Sequence, residues 1–122
     1  MYDIDHFKKI NDNYGHDIGD EILIELTDLV RKSIRNIDIL ARWGGEEFMI
    51  ITPNTDINST KLLAERLRKE ISEKDFYKVD KLTCSFGVTS FKEKDDIDSI
   101  IKRVDKALYK AKNGGRNMVV KI

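Results

Sequence analysis

Hydrophobic residues recur along this chain with two periods. From Asp20 onward, Ile22, Leu23, Leu26, Leu29, Val30 and Ile34 return every three or four positions, the spacing of one helical face. Asp20 stands where an N-cap is expected, so a helix is predicted to start there. A second stripe, Leu62, Leu63, Leu67 and Ile71, predicts a helix from about Ser59 to Ser72. A third, through Ile97, Ile100, Ile101, Val104, Leu108 and Ala111, predicts one from about Ile97 to Asn113, with Gly114 or Gly115 ending it in the left-handed region. Period two appears at Leu82, Cys84, Phe86 and Val88, which alternate with small residues inside "FYKVDKLTCSFGVTSF", one or two strands. The apolar runs of "DILARW" and "FMIIT" flank Gly44-Gly45, the pattern of a β-hairpin with a type I′ turn, in which both glycines need φ > 0. Pro53 ends the second strand of that hairpin. "NMVVKI" closes the chain as a strand. At the other end "MYDIDHF" carries a strand beginning almost at the first residue, "FKKIND" reads as a short helix or turn, and "NYGHDIGD" as a loop. The order strand, helix, hairpin, helix, strand, helix, strand predicts a mixed sheet with helices packed against it, in the α/β or α+β range.

Composition narrows the partners. The 122 residues suffice for one domain with one core. Forty per cent are hydrophobic and 36% charged, as in a soluble globular domain. Lys+Arg and Asp+Glu number 22 each, so the net charge is zero and neither a nucleic-acid duplex nor an anionic membrane is an expected partner. No apolar run approaches a transmembrane span, no signal-peptide pattern is seen, and the single cysteine, Cys84, has no internal disulfide partner. The expected location is the cytoplasm.

The candidate chemistry is acidic. No phosphate-binding G-x-x-x-x-G-K-[ST] loop, dinucleotide fingerprint or zinc-ligand spacing is present, and His6 and His16 have no nucleophile at a recognisable spacing. Asp3 and Asp5 lie at the end of the first strand, Glu46 and Glu47 at the start of another. If those strands are antiparallel neighbours, Asp3 and Glu46 can share a cation. Magnesium favours one or two carboxylates together with water and phosphate oxygens. Glycines at the hairpin tip let a phosphate chain approach the backbone, so a nucleotidyl-transfer site is plausible.

Three blocks in this order, "DIDHFKKINDNYGHDIGDEIL", "RWGGEEF" and "DKALYKAKNGGRN", resemble the GGDEF domain of diguanylate cyclases, here in its GGEEF variant. The resemblance covers essentially the whole chain. It implies a palm-like α+β domain with a mainly antiparallel sheet, of the nucleotide-cyclase and polymerase type. It implies condensation of two GTP molecules into cyclic di-GMP with release of pyrophosphate, by two domains that face each other as a homodimer. Mg²⁺ or Mn²⁺ is the implied cofactor, and an upstream sensory or receiver domain the implied source of control.

Residue by residue, the resemblance makes Asp3 the first metal-binding aspartate, with the Ile4 carbonyl beside it. It makes Glu46 a metal ligand of the signature, and Glu47 a further ligand or the group that activates the 3′-hydroxyl. Asn11 and Asp20 match the pair that reads the guanine edge. Phe7 and Lys8 match positions that contact phosphates, as do Gly44 and Gly45 by their open backbone. Lys112 and Arg116 match the basic pair on the triphosphate. Arg35 and Asp38, in "RNID", with Arg66 further on, match an inhibitory site that binds the product. Taken singly these residues have blander readings. Asp20 is an N-cap, Asn11 a turn residue, Lys112 and Arg116 helix-end cations, and Arg35–Asp38 a surface ion pair. Asp5 supports the loop, with a second metal role the less favoured reading.

In the family a helix, a turn and most of the first strand precede the aspartate that Asp3 matches, whereas Met1-Tyr2 alone precede it here. The expectation is that strand exchange, dimerisation or rearrangement of the sheet compensates. A second functional reading is a receptor module that binds GTP or cyclic di-GMP without turnover, and a third is a domain that folds and binds nothing.

Overall fold

The computed structural model describes residues 1–122. In chain order its elements are β1 (Tyr2–Ile4), α1 (Phe7–Tyr14), α2 (His16–Ser33), β2 (Ile39–Arg42), β3 (Glu47–Ile51), α3 (Ile57–Glu73), β4 (Cys84–Val88), α4 (Ile97–Asn113) and β5 (Val119–Lys121). Two of the helices start on clear caps. The Asp56 side chain accepts from the Asn58 and Ser59 amides at the start of α3, and Asp96 forms a reciprocal capping box with Ser99 at the start of α4. α4 spans the predicted residues, and Gly115, at φ 125°, lets the chain turn away behind it.

The N-terminal region is more helical than its pattern suggests. "FKKINDNY" is a full helix, and α2 begins at His16 rather than Asp20. Gly15 (φ 88°) is the hinge between the two helices: its amide closes α1 on the Asn11 carbonyl at 2.8 Å, and its carbonyl accepts from the Gly19 amide at 3.1 Å. Asp20 is therefore an exposed residue in the body of α2 and caps nothing. The apolar stripe of α2 begins at Ile18, which packs against the core one turn before Ile22, and beside it Gly19 lets the first turn of the helix close on α1. The hairpin also differs from expectation. Neither Gly44 nor Gly45 has a positive φ, so the tip is not a type I′ turn. A four-residue connection joins Arg42 to Glu47, and the Trp43 and Gly44 amides both donate to the Glu47 carbonyl at 2.8 and 3.1 Å.

The five strands form one sheet in the order β2-β3-β1-β4-β5, antiparallel except for the β4–β5 pair. β1 is its centre. Tyr2 faces Phe48 on one side and Phe86 on the other, and Asp3 faces Glu47 and Ser85. Met1 extends this pairing, its α-amino group donating to the Gly87 carbonyl at 3.0 Å and its carbonyl accepting from the Gly87 amide at 2.8 Å. The expected rearrangement of the sheet is thus not what the chain adopts. β1 keeps its place between the two strands, opposite Glu47 and Phe48 of β3 and Cys84 to Phe86 of β4, while Met49–Ile51 of β3 extend past its pairing.

The two faces are covered differently. Tyr2, Ile4, Phe48, Cys84, Phe86 and Val88 pack with Ile22, Leu26 and Val30 of α2 and Leu67 and Ile71 of α3 in the main core. The Tyr2 ring stacks between Phe48 and Phe86, with centroids 5.1 and 5.0 Å away, fastening three adjacent strands. On the opposite face α4 lies directly on β4, where Met1, Val104 and Leu108 form a smaller cluster. Gly87 permits that contact. A Cβ there would sit 2.4 Å from the Leu108 amide nitrogen and 2.6 Å from the Val104 carbonyl oxygen. Both are helix backbone and cannot step aside, so Gly87→Ala should destabilise the domain by about 3 kcal/mol, the upper range for overpacking, as read by urea unfolding.

No helix is long and apolar enough to cross a membrane.

Candidate active site

Strand pairing brings the acidic residues together. β1 and β3 are antiparallel, and Asp3 stands opposite Glu47 in the register. Glu46, in the hairpin connection, accepts from the Ile4 amide through its carbonyl at 3.3 Å. Alternation along β1 turns Asp3 toward the α4 face, where Lys112, in the last turn of the helix, reaches its Oδ2 at 3.0 Å. Asp3 is only 3% exposed. Burial pushes its carboxyl up to about 6; Lys112 opposes the shift, while the charges of Glu46 and Glu47 add to it. The Lys112 ammonium thus pairs with Asp3 while the charges of Glu46 and Glu47 are also felt at that carboxyl.

Asp5 has another task. It is buried and accepts from the Ser85 hydroxyl at 2.6 Å, the Thr83 hydroxyl at 2.7 Å and the Asn117 amide at 3.0 Å. With three donors it is committed to joining β1, β4 and the segment after α4, in agreement with the supporting role expected from the sequence.

The glycines at the tip serve two different purposes. A Cβ on Gly44 would lie 3.2 Å from Glu47 Oε2, so Gly44 makes room for that carboxylate, whereas around Gly45 the space is open. Arg42 holds the loop from outside, donating to the Gly44 carbonyl at 3.1 Å and to the Gly45 carbonyl at 3.0 and 2.7 Å. The position of Arg42 two residues before the glycines is the one signal of this role in the sequence.

A second group of predicted residues lies on the other side of the sheet. An open cleft of about 580 Å³ runs between α2 and the hairpin, lined by Asp20, Leu23, Thr27, Arg42 and Phe48 among others. That is within the usual size range of small-molecule sites. Asn11 approaches α2 next to Asp20: a Cβ on Gly19 would stand 1.9 Å from Asn11 Oδ1 and 3.3 Å from Phe7 Cζ. Gly19 therefore gives Asn11 its room against α2, a contact the sequence does not announce beyond a glycine inside what proves to be a helix. Gly19→Ala should expel the Asn11 side chain and weaken guanine-nucleotide binding about tenfold, the size of one lost hydrogen bond, in calorimetric titration with GTP.

Phe7 is buried in the core, so only its backbone is available to a ligand. It opens α1 next to His6 (φ 57°), where no side chain caps the helix and the first N–H groups have no intrahelical acceptor. Lys8 is exposed there. Arg116 is half-buried behind α4 and makes no hydrogen bond or ion pair through its guanidinium.

The residues of the expected inhibitory site gather at the far end of α2. Arg35 makes a bidentate pair with Asp38, Nη2 to Oδ1 being 2.7 Å, and its backbone amide donates to the same carboxylate at 2.9 Å. This pairing holds the Asp38 carboxyl below its ordinary range. The same guanidinium reaches the Thr55 hydroxyl at 2.7 Å and the Pro53 carbonyl at 3.1 Å. Arg66 comes from α3 and donates to the Ser33 carbonyl at 2.8 Å. Asp38 is buried, so it orients Arg35 and leaves the outward face of the guanidinium available.

A divalent cation fits the first group of residues. The donors are all hard oxygens. No three His, Cys, Asp or Glu side chains are gathered closely enough to hold a metal by themselves. Water and phosphate oxygens would have to complete the shell of a cation held there.

Comparison with known proteins gives the family. The family described as "Diguanylate cyclase, GGDEF domain" matches residues 1–118. Diguanylate cyclase A of Treponema denticola is 44% identical over 123 residues, covering 98% of this chain and 33% of that protein. The chain thus spans a third or less of the curated relatives it first matches. The solved structure of the active GGEEF domain of a diguanylate cyclase from Vibrio cholerae superposes with a TM-score of 0.93 at 42% identity, over 98% of this chain and 78% of that one. The GGDEF domain of DgcB from Caulobacter crescentus, solved in complex with c-di-GMP, has the same TM-score at 32% identity, over 98% and 74%. This chain belongs to the GGDEF family of diguanylate cyclase domains.

Proposed function

We propose that the chain is the catalytic domain of a diguanylate cyclase, condensing two GTP molecules into cyclic di-GMP. The observation that carries this reading is the pairing of buried Asp3 with Glu47 across β1 and β3, beside Glu46 and a glycine tip. In the reaction each 3′-hydroxyl attacks the α-phosphate of the other nucleotide, the bond between the α-phosphate and its bridging oxygen breaks, and pyrophosphate leaves. Each domain holds one GTP, so two copies must face each other, and Glu47 takes up the proton of the attacking hydroxyl.

The base occupies the cleft side, with Asp20 accepting from guanine N1–H and N2–H₂ and Asn11 completing the edge. The triphosphate passes over the end of β1 toward the α4 face. There the start of α1 (the Phe7 backbone and Lys8), the bare backbone of Gly44 and Gly45, Lys112 and Arg116 contact it. Asp3, Glu46, Glu47 and the Ile4 carbonyl would hold Mg²⁺ or Mn²⁺. When bound, the cation neutralises phosphate charge and favours ionisation of the attacking hydroxyl. In the whole protein we place this domain in the cytoplasm, with an upstream sensory or receiver domain controlling encounter of the two copies.

Incubation with GTP and Mg²⁺, followed by mass-resolved chromatography, tests the reading. Cyclic di-GMP whose formation rises with the square of protein concentration is expected. A folded chain that binds GTP and forms none overturns catalysis by this chain. That result favours the receptor reading, which the Arg35–Asp38–Arg66 constellation supports by itself. At that constellation Arg35→Ala should weaken cyclic di-GMP binding tenfold or more, on the order of one charge-assisted hydrogen bond. Progress curves should then stay linear where the unaltered chain slows.

A further inference from the structure

Behind α4 three successive residues have positive φ: Gly115 at 125°, Arg116 at 64° and Asn117 at 45°. Glycine takes such a conformation freely; two larger residues in a row do so only where the surroundings hold them. Two clamps do so here. The buried Asp5 carboxylate accepts from the Asn117 amide at 3.0 Å. From α3, Arg68 donates through Nη1 to Asn117 Oδ1 at 2.9 Å while its Nε is tied to Glu65 at 2.9 Å. Asn117 is thus gripped by backbone and side chain from two elements. The Arg116 amide is fixed on the Ala111 carbonyl at 3.0 Å, and the Met118 carbonyl re-enters the sheet by accepting from the Phe86 amide at 2.9 Å. Only the Arg116 side chain in this turn is left without a partner.

We propose that Asn117, clamped by Asp5 and Arg68, is the positioning residue that presents Arg116 to the nucleotide phosphates. The proposal rests on the reading of Arg116 as a phosphate ligand. Asp5 reaches the turn from the position just after the strand that carries Asp3, and Lys112 reaches Asp3 from the helix that leads into the turn. The Arg116 backbone, and with it the root of its side chain, is thereby held in fixed relation to Asp3 before any ligand arrives. Arg68, on a helix remote from both carboxylates and glycines, enters the site only through this contact.

The test is titration calorimetry with 3′-deoxy-GTP and Mg²⁺, a probe that lacks the attacking hydroxyl and so is not turned over. Asn117→Gly keeps the left-handed backbone and removes the side-chain clamp; Arg68→Met removes the same clamp from the other side and guards against a folding defect in either variant. Each should weaken binding about tenfold, as expected for a misplaced charged contact. Asn117→Asp, which keeps the acceptor, should restore binding to within about twofold. Asn117→Gly combined with Arg116→Ala should bind no more weakly than Arg116→Ala alone, because the side chain acts through Arg116. The proposal is overturned by itself if Arg116→Ala weakens binding while Asn117→Gly and Arg68→Met do not, or if the losses multiply in the double variant. Unchanged binding in Arg116→Ala overturns the phosphate role of Arg116 and the proposal with it.

Discussion

Glu47→Gln removes cyclic di-GMP formation by about a thousandfold or more, the middle of the range for a general base, and leaves product binding at Arg35 unchanged. The substitution keeps the size of the side chain, so it still fits against Gly44, where a Cβ would come within 3.2 Å of Glu47 Oε2. It also keeps the Glu47 backbone in the strand, with its carbonyl accepting from Trp43 and Gly44. What it removes is the charge and the basic oxygen. The register places that charge opposite Asp3. Arg35, Asp38 and Arg66 lie at the other end of α2, on separate hydrogen bonds to Ser33, Pro53 and Thr55. The two measurements, product by chromatography and cyclic di-GMP affinity by calorimetry, should therefore separate cleanly. Turnover within a few fold of the unaltered chain would remove Glu47 from the chemistry. Loss of both activities together would instead signal a folding defect.

The elements with a strong apolar period were legible in the sequence, and α4 was predicted with the bounds it adopts. What escaped were features set by contacts rather than by pattern. The first turn of α2 offers a single apolar residue, Ile18, between glycines and polar residues, so "NYGHDIGD" reads as a loop. The two glycines at the hairpin tip permit a type I′ turn, but neither takes a positive φ; Gly44 instead makes room for Glu47, and the space at Gly45 is open. The meeting of β1 with β3 is legible once the strands are taken as antiparallel, but the pattern sets Asp3 against Glu46, whereas the register sets it opposite Glu47. The bond of Asp3 to Lys112 is not legible, because 109 residues separate them and only the packing of α4 on Gly87 brings the helix end over β1. The clamp on Asn117 was equally hidden. Nothing in "GGRN" announces consecutive left-handed residues, and Arg68 reads as one more cation on an amphipathic helix.

Asp3→Asn should stabilise the domain at neutral pH while lowering turnover about a hundredfold or more, the scale of removing one electrostatic contact to a reacting group. The sign follows from the proton balance. The ordinary carboxyl value is 3.8, and burial raises Asp3 to about 6 in the folded chain. Between those values the folded chain takes up a proton that the unfolded chain has lost. The favourable contribution is therefore complete below about pH 4 and disappears as pH rises through 6. At pH 7.5 folding must bury an ionised carboxylate. Asparagine stays neutral, but it leaves Lys112 without its partner, and Lys112 is about a third exposed and readily solvated. With that loss and solvent screening discounted, the gain is about 1–2 kcal/mol at pH 7.5, and it shrinks toward pH 5. Urea unfolding at the two pH values without divalent cations measures it. Mg²⁺ alone should then raise the midpoint of the unaltered chain and leave that of the D3N variant in place, since a ligand that binds only the folded state stabilises it. A D3N variant less stable than the unaltered chain at pH 7.5 would mean that the bond to Lys112 outweighs the cost of burial. Asp3 would then be a structural ion pair, and the case for a cation between β1 and β3 would lose its electrostatic basis.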